Sequence, residues 1–452
     1  MSRPHRTVSA HLAHLWESLR TSYWFVPALM TAGSIGLSLL TVHLDQATGS
    51  SWVESAGWVW SGSPEGARQV LSTIAGSMIT VAGVTFSITI VSLTLASSQF
   101  GPRLLRSFVR DLGNQVVLGT FISTFVYCLL VLRTVRGMDD AEFVPNLSVT
   151  LGVAFALSSL GVLIYFIHHI SSAIQAEHLI AAVAGELRES IEGMFPEKLG
   201  EPGPEADDGP PAIDLSEEGN RIVAESSGYI QAVEEPALMD LSVKEDLVLE
   251  LLKVPGDFVP AGGALARAWP VRRAGGEVEE RIRGAFIIGR RRSPAQDPEY
   301  IAHQLVEIGV RALSPGINDP FTALTCLDWL GAALRLLAER RIPSPYRYDE
   351  HRRLRVVVAG TNFPKMADAS FNQIRQYGRS SVSVLLRLLD TIASVAPCTR
   401  RGEDRVCLRK HADKVIADAR KTLDNQSDLR EVEERYVAAL HSLAASLPEP
   451  VS

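Results

Sequence analysis

The sequence predicts an α-helical membrane domain of four transmembrane helices followed by a cytoplasmic α+β domain that holds a small β module and a helical bundle. Three observations lead there. Four long apolar segments without Asp, Glu, Lys or Arg lie within the first 170 residues. Short β-prone runs parted by turns follow between 221 and 290, and capped helical segments fill the remainder. At 452 residues the chain exceeds one ordinary domain. The expected division is a transmembrane domain over 1–195 that ends in a helical extension, an acidic Pro/Gly linker over 196–215, a β module over 216–292 and a helical cytoplasmic domain over 293–452.

The apolar segments are Trp24 to Leu44, Val70 to Ser97, Val116 to Leu132 and Leu147 to Ile170. A hydrocarbon core of about 30 Å takes roughly 20 helical residues, and each segment meets or approaches that length. A soluble amphipathic helix would carry a charge every few residues. The first run is longer than the roughly 7–15 apolar residues of a secretory signal, and further spans follow it, so it reads as a span. Tyr23, Trp24 and Phe25 form an aromatic belt at its start, with Trp52, Trp58 and Trp60 marking the opposite interface.

Orientation follows from the arginines in the short flanks. Arg3, Arg6 and Arg20 precede the first span; Arg103, Arg106 and Arg110 lie between spans two and three; Arg188 follows span four. The other two connections hold only Arg68, Arg133 and Arg136, the last two beside Asp139, Asp140 and Glu142. The positive-inside rule therefore places both termini in the cytoplasm.

Span two differs from the others. Thr73, Ser77, Thr80, Ser87, Thr94 and Ser98 recur at spacings that keep them on one helical stripe, while Thr85, Thr89 and Ser92 lie on the opposite side. Hydroxyls on both sides suit a helix surrounded by protein or water more than by lipid. Two readings stand side by side. In one, Ser72, Gly76 and Thr80 form a small-residue ladder for helix packing; in the other, the stripe lines a polar pathway and replaces part of a solute's hydration. Just beyond the span, Arg103, Arg106 and Arg110 recur on one face of a short interfacial helix. Such arginines contact lipid phosphates, or else concentrate anions at a pore mouth.

The runs Ser97-Ser98-Gln99-Phe100-Gly101-Pro102-Arg103-Leu104-Leu105-Arg106, Leu118-Gly119-Thr120-Phe121 and Ala312-Leu313-Ser314-Pro315-Gly316-Ile317-Asn318-Asp319-Pro320-Phe321 resemble the bacterial predicted-membrane-protein family known as domain of unknown function 2254. The resemblance covers most of the chain. It implies an inner (plasma) membrane protein of a bacterium, and it brings no catalytic or ligand residue to carry over.

In the second half, span four is expected to continue as helix from Ala173 to Met194, with His168, His169 and His178 near the membrane surface. Adjacent histidines point about 100° apart, which suits packing better than a shared metal. Strands are expected at Ser227 to Gln231, Leu247 to Leu251 and Gly284 to Ile288. The run Pro255 to Leu265 is similar to the turn of biotinyl or lipoyl carrier domains, but Lys244 and Lys253 lack the carrier hairpin, so a docking or ligand-sensing module is expected instead.

Asp297-Pro298 and Asp319-Pro320 each read as an N-cap with proline at the first helical position. Asn318 and Asp319 are candidates for a ligand loop, although capping alone explains them. Glu299, His303, Glu307 and Arg311 form one stripe that offers metal ligands or, more simply, a charge-paired face. Further helices are expected over Arg352 to Pro397 and Val406 to Leu447.

A formal net charge of −7 argues against a nucleic-acid binder. Four cysteines, Cys128, Cys326, Cys398 and Cys407, make no disulfide framework at this length. The sequence holds no Walker loop, zincin signature or Cys-x-x-Cys, so neither an enzyme nor a cofactor is expected. The leading functional expectation is an oligomeric channel or transporter for ions or small solutes, gated by its cytoplasmic domain. The competing one is a non-conducting, membrane-anchored sensor or scaffold that binds a ligand or partner through the β module. Expected partners are the lipid bilayer, further copies of the chain and an ion or small-molecule ligand.

Overall fold

A computed structural model describes residues 24–48, 60–101, 111–137, 143–173, 175–195, 219–358 and 360–445. The acidic linker and Arg103, Arg106 and Arg110 lie outside these residues. The chain forms two compact units, one ending at His178 and one starting at Leu179.

The described residues of the first unit form four long helices: α1 (Phe25–Thr48), α2 (Pro64–Phe100), α3 (Leu112–Leu132) and α4 (Asn146–Ala173). Each starts before or ends beyond the apolar run that announces it, because the capping residues are polar. The Ser63 side chain accepts from the Gly66 amide ahead of α2, and the Asp111 side chain accepts from the Gly113 amide ahead of α3. At about 1.5 Å per residue, the 37 residues of α2 reach about 55 Å, well past a hydrocarbon core of about 30 Å.

Helix α3 is the hub, packing against α1, α2 and α4. Leu71 of α2 and Tyr127, Cys128 and Val131 of α3 are sealed from solvent with Val149 of α4. A second cluster joins Ala82, Val117, Phe121, Phe166 and Ile170. Small residues permit this closeness. A Cβ added at Gly119 would lie 2.5 Å from Met30 Sδ and 3.2 Å from Pro27 Cα. Gly119→Val is therefore expected to push α1 off α3 and lower stability by about 1–3 kcal/mol. Thermal unfolding in detergent measures this, and an unchanged midpoint would show that α1 is not seated there.

The expected continuation of span four is interrupted. Gln175 is not helical, and a separate helix, α5 (Ala176–Met194), follows. The burial pattern changes with it: α5 is amphipathic and buries Leu179, Ile180, Val183, Leu187 and Ile191 along one stripe.

The second unit carries eight strands among its described residues. They are β1 (Asn220–Val223), β2 (Gly228–Val233), β3 (Val248–Leu251), β4 (Phe258–Val259), β5 (Ala264–Trp269), β6 (Phe286–Gly289), β7 (Tyr346–Tyr348) and β8 (Leu354–Val358). Five form a sheet in the order β1-β5-β3-β8-β7 and three form a sheet in the order β4-β2-β6. Helices α6 (Glu235–Lys244) and α7 (Glu277–Gly284) lie among them, and α6 packs on β3 and β8. The core is aliphatic, with Ile222, Ile230, Leu249, Leu265 and Val356 buried.

Two strands come from the stretch read as wholly helical. Val356, Val357 and Val358 are β-branched and pair in parallel with Leu249, Glu250 and Leu251 of β3. Arg355 fixes the junction: its guanidinium donates to Asp349 and Asp246, each at 2.9 Å. Arg355 and Arg273 hold the Asp246 carboxyl below its usual range.

The remaining helices are α8 (Pro298–Ala312), α9 (Pro320–Glu339), α10 (Phe363–Tyr377), α11 (Val382–Val395), α12 (Gly402–Thr422) and α13 (Gln426–Ala444). Arginines close several helix ends, where carbonyls lack partners and the dipole is negative. Arg340 donates to Phe195 O at 2.5 Å, Arg401 to Arg340 O at 2.9 Å, and Arg405 to Ala445 O at 3.0 Å. Asp404, fully buried, lies 2.7 Å from Arg401.

Candidate functional site

The α2 stripe is the candidate with the clearest geometry. Thr73, Ser77, Thr80, Ser87, Thr94 and Ser98 are all exposed, together with Gly76 and Gly83, on the side of α2 turned away from its neighbours. Thr85 and Ser92 on the opposite side are buried, and Thr89 is half-buried. Thus the two hydroxyl sets separate: one is packing, the other an outer surface. Each outer hydroxyl donates its proton to its own helix. Thr73 bonds Gln69 O at 2.7 Å, Ser77 bonds Thr73 O at 2.7 Å and Thr80 bonds Gly76 O at 2.8 Å. Ser87 bonds Gly83 O at 2.9 Å, Thr94 bonds Ile90 O at 2.9 Å and Ser98 bonds Leu95 O at 2.8 Å. With the protons so engaged, the oxygen lone pairs remain, and the face presents acceptors.

Where the start of α3 meets the end of α4 lies a polar cluster that sequence reasoning missed. Asp111 caps α3, receives the Asn114 carboxamide at 3.0 Å and meets His169 Nε2 at 2.5 Å. The imidazole stacks on Tyr165, with ring centroids 5.3 Å apart. Asn114 is buried, and its carboxamide oxygen has no partner among the described residues. His168, by contrast, is exposed on the neighbouring face, so the adjacent histidines do diverge. Nothing local pointed from Asp111 to His169, because the contact spans 58 residues.

A second missed residue, Asp45, ends the polar side of α1. Its carboxylate accepts from the Leu147 amide at 2.9 Å, the Ser148 amide at 3.0 Å and the Ser148 hydroxyl at 2.7 Å. The Tyr127 hydroxyl continues the network, donating to Ser148 O at 3.2 Å and lying 3.1 Å from Thr41 Oγ1. One helix thereby caps another.

In the second unit, Asp319 acts as the cap the sequence suggested. It accepts from the Thr322 amide at 3.2 Å and from the Thr322 hydroxyl at 2.5 Å. Asn318 has φ of 51°, a left-handed turn conformation that asparagine tolerates. Its side chain is exposed beside Ile317 and Phe321. On α8, Glu299 accepts from Thr361 at 3.1 Å and Glu307 pairs with Arg311 at 3.6 Å. Among the described residues no group of three His, Cys, Asp or Glu side chains is placed to hold a metal. Asp297, which caps α8, is buried against Arg292, and burial raises its carboxyl.

Among the described residues, five helices are long and apolar enough to cross a membrane: α1 to α4, and α9 in the second unit. Against known proteins, the chain is 32% identical over 418 residues to the uncharacterized protein Mb1321c of Mycobacterium bovis, covering 91% of this chain and 79% of that protein. The same figures hold for the uncharacterized protein Rv1290c of Mycobacterium tuberculosis. No solved structure matches. Residues 20–394, which include the α2 stripe, the Asp111–His169 pair and the Asp319 cap, match the family described as "Predicted membrane protein (DUF2254)", and the chain belongs to that family.

Proposed function

We propose that this protein is an oligomeric inner-membrane channel or transporter in which α2 from several copies lines a polar pathway. The observation that carries the reading is the separation of hydroxyls on α2: Thr85 and Ser92 are buried in the protomer, whereas the six stripe residues face outward with Gly76 and Gly83. The outer hydroxyls bond their own helix, but their remaining lone pairs gain partners only where water or solute reaches them, as in a pathway formed between copies. Because the stripe offers acceptor oxygens, the solute class is a cation or a neutral hydrogen-bond donor rather than an anion.

Four helices cross the bilayer on this reading, and α9 does not. Helix α9 carries Asp328, Arg335 and Glu339, and its apolar side is covered: Cys326, Leu327, Leu330, Leu334 and Leu337 are buried against α8 and α11. Four crossings put both termini on one side, and the flanking arginines put that side in the cytoplasm. The second unit then works from the cytoplasm as the gate, without catalysis of its own.

The test is water access along α2. Single cysteines at Ser77, Thr80 and Ser87 in a Cys128-free background are treated with a small charged thiol reagent, and labelling is mapped by mass. The control is Ile79→Cys, since Ile79 is exposed on the neighbouring face. Stripe cysteines are expected to react while position 79 stays protected in lipid, because thiolate formation and reagent arrival both need water. Uniform protection of all three while solute flux is measurable would remove α2 as the lining. The membrane-anchored sensor would then lead.

A further inference from the structure

Helices α9 and α11 are largely apolar and carry few charges: Asp328, Arg335 and Glu339 on the first, Arg387 and Asp390 on the second. Four of these five line one open groove between the two helices, a hollow of about 390 Å³. That volume falls within the range of small-ligand sites, about 300–1,000 Å³. On α9 the lining residues follow the spacing i, i+3, i+4, i+7 from Asp328, and on α11 the same spacing from Arg387. Each helix therefore turns one continuous face to the hollow. Its floor is tight, since a Cβ at Gly331 would come within 2.6 Å of Thr391 Cγ2.

A groove that served only to staple two helices would pair its charges across the gap. Here only one end is stapled. Arg387 donates to both Asp328 oxygens at 2.5 Å. Asp390 turns instead to Arg435 of α13, and Arg335 lies beside the Cys398 thiol, which Glu339 also contacts, with no carboxylate in an ion pair with Arg335 among the described residues. A guanidinium and a carboxylate thus remain on the walls of the same hollow without being bonded to each other. The lining as a whole is balanced, two arginines against two aspartates. A ligand with net charge gains from one pair and is repelled by the other, whereas a molecule carrying both signs is matched at both ends.

We propose that this groove binds a small zwitterion of amino-acid type, its carboxylate on Arg335 and its ammonium on Asp390. Such a site would give the second unit a signal to read, and it stands whether or not α2 lines a pathway.

The experiment is calorimetric titration of the full chain in detergent with L-alanine, L-glutamine and glycylglycine, and with acetate and methylammonium as single-charge controls. At least one zwitterion is expected to bind saturably, and neither control to do so. Arg335→Gln is expected to weaken binding at least about tenfold. Ala332→Gln fills the hollow at an exposed position and leaves every charge in place, so it is expected to do the same by exclusion. Asp390→Asn also loses the Arg435 pair, so the two other variants decide the matter. Failure of all three zwitterions to saturate, acetate binding as well as they do, or binding unchanged in both deciding variants would each overturn the site.

Discussion

Asp45→Ala is expected to lower the stability of the first unit by about 2–4 kcal/mol. The carboxylate accepts three hydrogen bonds from the first turn of α4, and it is 8% exposed. Removing it leaves the Leu147 and Ser148 amides without a partner at a helix terminus whose dipole favours negative charge. Part of the loss should return in Asp45→Asn, since a carboxamide oxygen still accepts. Asp240, exposed on α6, supplies a control whose alanine variant should stay within about 0.5 kcal/mol of the parent. Detergent-denaturation midpoints followed by helical circular dichroism report the difference. Equal midpoints for Asp45→Ala and Asp240→Ala would show that the cross-helix cap contributes nothing.

Acid is expected to weaken the second unit through His411, by up to about 3 kcal/mol between pH 6.5 and 4. His411 is 1% exposed and stands edge-on to Phe371. Burial is the main force pushing its pKa down to about 4; Lys414, Arg375 and Lys410 add to the shift, and Asp368, 3.2 Å away, opposes it. The unfolded chain takes up this proton near pH 6.5 and the folded chain only near pH 4, so in that window the unfolded state binds more protons and stability falls as pH falls. Asp297 and Asp404 act in the opposite sense. Burial raises both carboxyls, so the folded state accepts their protons first and acid relieves them. Asp246, held low by Arg355 and Arg273, and Asp349, held low chiefly by the Arg353 amide, act with His411 and add to the loss towards the acid end of that window. His411→Phe keeps a ring beside Phe371 and abolishes the titration. Its thermal midpoint should fall less than that of the parent protein between pH 7 and 4.5, and parallel losses would place the acid sensitivity elsewhere.

The four apolar helices were legible because charge-free runs of that length have few other uses, and the Asp297, Asp319 and Pro-containing helix starts were legible because capping is local. Helical spacing also placed the six α2 hydroxyls on one side. The sequence could not say which side faces the protomer's own core, since that depends on where α3 packs. Contacts between distant residues were silent for the same reason: Asp45 with Ser148, Asp111 with His169, and β8 alongside β3 each join segments that no short-range pattern relates. The Val356 to Val358 run did carry a strand signal, which the surrounding helix-forming sequence masked. The groove between α9 and α11 needed both helices in place before its four charges could be seen to share one space.

The composition of α9 also bears on how the chain is made. A segment of 20 mostly apolar residues emerges from the ribosome before α10 and α11 exist to cover it, and by length and composition it qualifies for lateral release into the bilayer. An aspartate near the middle of such a segment raises the cost of insertion by about 2.5–3.5 kcal/mol, and Asp328 is the ninth of its 20 residues. On the four-span reading proposed above, the charge that closes one end of the groove in the finished protein also tells the insertion machinery to let this helix pass, and so keeps the number of crossings even for everything downstream.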